Sequence, residues 1–152
     1  MIIDSFPNHD EPLSALGFDY GTQRIGVAFG QSLIGTASPV CVLKARDGIP
    51  DWDQIADLIA EWKPNIFVVG IPYNLDGSES ELMVRAIKFA NRLNGRFHKP
   101  SYGMDERLSS AEAAEVLQSE GGGRKQRAAI DDIAAQIILE NWFSEYAASK
   151  KG

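Results

Sequence analysis

The sequence predicts an α/β fold: a mixed five-stranded sheet with helices on both faces. Three observations lead there. Two runs near the start alternate with a period of two and are joined by only three residues. After Asp51 the pattern changes to the helical period. Residues 65–71 (NIFVVGI) then form a continuous apolar run, as a central strand covered on both faces requires.

Residues 13–20 (LSALGFDY) place Leu16, Phe18 and Tyr20 on one side of a strand and Ala15, Gly17 and Asp19 on the other. After the turn Gly21-Thr22-Gln23, the run RIGVAFG alternates again, with Ile25, Val27 and Phe29 opposed to Gly26, Ala28 and Gly30. This predicts a hairpin. A third extended run over 37–43 completes an antiparallel meander. Trp52, Ile55, Ala56, Ile59 and Trp62 fall at helical spacing, and Pro64 closes that helix. The stretch PYNLDGSES reads as a loop. A long helix is expected over 79–96, with Leu82, Ala86, Phe89, Ala90 and Leu93 inward. A short strand over 101–105 follows. Ser109 and Glu112 form a capping box for a helix ending near Gly121. Gly121-Gly122-Gly123 is expected to open a flexible basic loop, and the last helix is placed over 130–146. The order βββαβαβαα requires right-handed crossovers between its parallel strands.

With 152 residues, the chain has the length of one domain with a real core. Residues 1–12 read as a flexible leader, 13–148 as a single domain and 149–152 as a tail. Hydrophobic residues make up 44% and charged residues 24%, which excludes a disordered chain. No stretch nears the roughly 18 apolar residues of a membrane span, so no membrane partner is expected. The start, MIIDSFPNHDEP, lacks the basic and apolar parts of a signal peptide. The single cysteine, Cys41, sits in PVCVL and reads as a small buried hydrophobe. These features predict a cytoplasmic protein. The net charge of −6 argues against a general nucleic-acid binder, which usually carries a basic excess.

Four acids stand out. Asp19 lies within a strand, on the face lined by Ala15 and Gly17, where a carboxylate without a partner is costly. A bland alternative makes it the cap of the following turn. Asp131 begins a stripe through Ala134, Ala135, Ile138 and Trp142, whereas Asp132 aligns with Gln136 and Glu140 toward solvent. The helix dipole also explains an acid there. Asp105 and Glu106 close the short strand, and chemistry in open α/β sheets collects at such carboxyl ends. A loop acid paired with Arg107 is the alternative. Converging carboxylates repel unless cations neutralise them. An all-oxygen cluster suits Mg²⁺ or Mn²⁺, and two such ions can activate a water and stabilise the leaving oxygen of a phosphodiester.

The phrases FDYGTQRIGVAFGQ, VVGIPYNLDG, DERLSS and IDDIAAQIILE, in this order, resemble the YqgF (RuvX) family over essentially everything after Pro12. The resemblance implies an RNase H-like (RuvC-type) fold and a cytoplasmic nuclease that matures the 5′ end of pre-16S ribosomal RNA. It equally implies likeness to Holliday-junction resolvases acting on branched DNA. The family's acidic positions fall on Asp19, the acids of the DER motif and Asp131. Two departures are an isoleucine in the GIP motif and the second acid, Asp132.

Substrate-binding candidates are Arg24, Arg107, Arg124, Lys125 and Arg127, the last three in the expected loop. Arg85, Lys88, Arg92 and Arg96 share a helix face and could also track a phosphate backbone, or simply be solvated. A non-catalytic adaptor and an ATP-binding fold with a D-x-G-T phosphate loop are rival readings. The second needs two such domains, and the chain has one. A monomer or weak homodimer is expected, because no apolar stripe is reserved for a dimer.

Overall fold

Period-two sequence becomes sheet and period-3.6 sequence becomes its covering. The computed structural model describes residues 2–3, 12–72, 80–105 and 124–151, with side chains over 12–72, 80–104 and 133–148. These form β1 (Ile2–Ile3), β2 (Ser14–Asp19), β3 (Arg24–Gln31), β4 (Thr36–Arg46), β5 (Ile49–Pro50), α1 (Trp52–Trp62), β6 (Ile66–Ile71), α2 (Glu81–Phe97), β7 (Ser101–Asp105) and α3 (Arg124–Lys151).

The sheet order is β1-β7-β6-β2-β3-β4-β5. β2, β3 and β4 are the antiparallel meander, and β6, β7 and β1 extend it from β2 in parallel. The five expected strands are all present. Among the described residues the sheet has seven, because a two-residue strand is added at each edge. One of them, Ile2–Ile3, lies inside the segment expected as a free leader and pairs with Ser101 and Tyr102. The other, β5, turns back on β4 through Asp47-Gly48.

The alternation in β2 and β3 divides the core. Leu16, Phe18, Tyr20, Ile25 and Val27 pack with Phe67 and Val69 under α1 and α2. The ring of Phe18 meets Phe67 and Phe89 edge-on, with centroids 6.0 and 5.5 Å apart. The opposite face carries Ala15, Ala28, Ala37 and Val68 beneath Ala135, Ile138, Leu139, Trp142 and Phe143 of α3. Small residues let this helix approach closely.

Helix ends follow their caps. Asp51 accepts from the Asp53 amide at 3.0 Å at the start of α1, and Ser80 accepts from the Met83 amide at 3.0 Å at the start of α2. In α1, Ile55 is buried while Trp52, Leu58 and Ile59 pack beside it, and Ala56 faces solvent. In α2, Met83 joins the expected inward residues, with Leu82 half-buried. Cys41 is half-buried against the same cluster.

The largest correction concerns α3. The basic segment Arg124, Lys125 and Arg127 was expected in a loop, and it forms the first turns of the helix instead. Residues 124–151 contain no Gly or Pro, and Arg, Lys, Gln and Ala are all strong helix formers. The helix also continues to Lys151, through most of the expected tail. Residues 73–79 of the loop expected over 72–80, the helix after Ser109 and the glycine run 121–123 lie outside the described residues.

Candidate active site

Asp19 ends β2, half-buried, on the face covered by α3. Its partner in β3 is Gly26. On the other side the register Phe18↔Val69 makes Gly70 the next position beside it. Glycine thus stands beside Asp19 on both neighbouring strands. Gly17, two residues earlier on this face, lies directly against α3. A Cβ there would lie 3.0 Å from the Leu139 Cβ and 3.3 Å from the Ala135 carbonyl oxygen.

The same contacts give the direction of α3. A Cβ on Gly30, paired with Ala15, would meet Phe143 at 2.8 Å, whereas Gly17 meets Ala135 and Leu139. The helix therefore runs antiparallel to β2. Asp131 stands one turn before Ala135, on the Asp19 side of this crossing. Ala134, Ala135, Ile138 and Trp142, the stripe expected to follow Asp131, are all buried. The opposite expectation, that Asp132, Gln136 and Glu140 face water, holds less well. Glu140 is half-buried and its Oε2 accepts from the Ala37 amide at 3.0 Å, because this amide of β4 needs an acceptor where α3 covers it.

Asp105 ends β7 and is paired with Ile71. Ile71 belongs to the cluster under α1 and α2. The register therefore gives position 105 the sheet face opposite to that of position 19. Glu106 and Arg107 lie outside the described residues, as do the side chains of Asp105 and Asp131. What the backbone brings together is one end of the sheet: β2, β6 and β7 are parallel and all finish there. Arg24, exposed, begins β3 at that end. Arg124, Lys125 and Arg127 occupy the N-terminal turns of the helix that crosses it.

Residues that the sequence reading did not single out line the same end. The Tyr20 hydroxyl donates to the Gly48 carbonyl at 3.0 Å. Burial raises its pKa above the ordinary phenol value, against the pull of Arg85 and Arg92, so it remains a donor. Asp47 and Gly48 have φ of 48° and 81°, the two positive values of a type I′ hairpin turn. The Asp-Gly dipeptide beside an alternating run was the available signal.

An α/β sheet of this order, with an acid at the end of its central strand, defines the RNase H-like class. Among solved structures, the chain resembles Thermus thermophilus RuvC in complex with Holliday junction substrate, at a TM-score of 0.52 and 12% identity, covering 90% of this chain and 97% of that one. It likewise resembles the fowlpox virus resolvase with substrate Holliday junction DNA, at a TM-score of 0.52 and 13% identity, covering 88% and 98%. At such identities these likenesses carry the fold. Residues 13–145 match the family model RuvX, described as Holliday junction resolvase, and the chain belongs to this family. A relative from Aeromonas hydrophila, named "Putative pre-16S rRNA nuclease", is 52% identical over 87% of this chain and 95% of its own. One of the same name from Pseudomonas fluorescens is 52% identical over 87% and 92%.

Proposed function

We propose that this chain is a metal-dependent nuclease that processes the 5′ end of pre-16S rRNA in the cytoplasm, acting as a monomer or weak homodimer. The observation that carries the reading is the placement of Asp19. It stands at the end of a central strand, between glycines, under the helix that brings Asp131 to the same level. Asp19 and Asp131, with Glu106 after the end of β7, would hold Mg²⁺ or Mn²⁺, two ions in all. Their donor set is all oxygen, which fits these hard cations. Bound there, the cations supply positive charge that neutralises the acids, polarises a water and stabilises the leaving oxygen. Asp105, the last residue of β7, is the alternative ligand from the same strand end. Arg24 and Arg107, with the cations at the start of α3, hold the phosphate backbone.

The names of the close relatives support RNA as substrate. The description of the family model supports a second reading, resolution of four-way DNA junctions by the same acids. Among the described residues, no helix is long and apolar enough to cross a membrane. The test is cleavage of a 5′-extended 16S precursor and of a four-way DNA junction, side by side, with Mg²⁺, with Mn²⁺ and with chelator. Metal-dependent trimming of the precursor is expected. Intact precursor under every condition overturns the reading, and junction cleavage alone selects the second one.

A further inference from the structure

The four cations along α2 divide into two groups. Arg96 lies over the Trp52 ring, 4.4 Å from its centroid, and so packs against α1. Arg85, Lys88 and Arg92, spaced by three and four, line a cavity of about 250 Å³ together with Tyr20, Phe89 and the Asp47-Gly48 turn. In a chain of net charge −6, three cations facing one concavity make a local field opposite to the total. Arg85 donates to Asp47 Oδ1 at 3.2 Å. This contact uses one of the five donors of the guanidinium. Lys88 and Arg92 are exposed.

The opposing wall is built, not incidental. Gly48 donates its amide to the Thr22 carbonyl at 2.8 Å and accepts the Tyr20 hydroxyl at 3.0 Å. A Cβ on Gly48 would collide with that hydroxyl, so only glycine fits this turn. The wall is thereby tied to the loop that directly follows Asp19. Tyr20 and Asp19 are consecutive, and consecutive strand residues face opposite sides of a sheet. The concavity and Asp19 therefore flank the same end of β2, one on each face.

We propose that this concavity binds the phosphodiester backbone of the nucleic-acid substrate, holding the chain where it rounds the end of β2 away from the acids. The proposal rests on the nuclease reading above and names a second contact surface for its substrate. Lys88 and Arg92 make the phosphate contacts, Arg85 is held ready by Asp47, and Tyr20 with Gly48 shapes the floor.

The experiment is a salt titration of binding to a single-stranded 16S precursor fragment, using full-length Asp19→Asn protein so that no cleavage intervenes. It is repeated with Lys88→Ala and Arg92→Ala added, and separately with Lys99→Ala, a cation at the other end of the sheet. Losing two phosphate contacts should lower the slope of log affinity against log salt by about 1.4, so the affinity lost between 50 and 200 mM salt should be about sevenfold smaller. Lys99→Ala should leave the slope near its starting value. A Lys88/Arg92 variant with unchanged slope and affinity overturns the proposal. So does a variant that loses only inorganic phosphate or pyrophosphate binding, which would assign the concavity to a small anion. Cleavage by wild-type protein, assayed in parallel, separates the two readings. Cleavage with no effect of the pair defeats this proposal alone, whereas binding through the pair without cleavage defeats the nuclease reading alone.

Discussion

A Cβ built on Gly17 would lie 3.0 Å from the Cβ of Leu139, closer than neighbouring side chains normally allow. This contact sets how near α3 comes to the sheet, and hence where Asp131 stands relative to Asp19. Gly17→Val should push the helix outward and destabilise the fold by about 1–3 kcal/mol, the usual cost of overpacking. Denaturant unfolding checks it, and the variant should also lose activity beyond its loss of folded protein. Unchanged stability would mean that α3 does not lie where the structure places it.

The register of β7 separates two adjacent acids. Ile71 pairs with Asp105, and if the alternation of β7 runs on by one residue, Glu106 falls in phase with Asp19 and Asp105 does not. Glu106→Gln should lower the cleavage rate by about a hundredfold or more, the scale of losing a group that stabilises charge in the transition state. Asp105→Asn should retain most activity. The reverse order would show that the chain kinks between the two.

Helical phase separates another pair. Ala134, Ala135 and Ile138 are buried, and a stripe that ran on through them by three and four residues would include position 131. Asp131→Asn should therefore cost far more activity than Asp132→Asn, again by about a hundredfold. Equal losses in the two would contradict the phase.

The cations at the start of α3 give a third comparison. Because they lie in a helix, replacing Arg124, Lys125 and Arg127 by Ala preserves the backbone and removes only charge. Far-ultraviolet circular dichroism should be unchanged. The salt slope of RNA binding to an Asp19→Asn protein should fall by about 2, near 0.7 for each contact. An unchanged slope would move the substrate away from this helix.

Much of this was legible in the sequence because it depends on local period. The alternation in 13–20 and 24–30 identified the two faces of the sheet and placed Asp19 among small residues. The stripe through Ala134, Ala135, Ile138 and Trp142 identified the covered side of α3. Features that depend on pairing were not legible. β1 and β5 are two residues each, too short to show a period, and exist only because β7 and β4 offer free edges. The start of α3 was misread because three glycines precede it, while the cations after them are good helix formers. The sheet face of position 105 required the register against β6, which no spacing reveals. The concavity of Tyr20, Gly48 and Arg85 joins three distant segments, so only the fold brings it together.

The most direct test of the central claim is a comparison of wild-type and Asp19→Asn protein on the 5′-extended 16S precursor with Mg²⁺ or Mn²⁺ present. Wild-type protein should trim the precursor, and chelation should stop it. Asp19→Asn should abolish trimming while its thermal midpoint is equal or higher, because repulsion among the acids is relieved. An Asp19→Asn protein that is folded and trims at the wild-type rate would remove Asp19 from the chemistry and contradict the account.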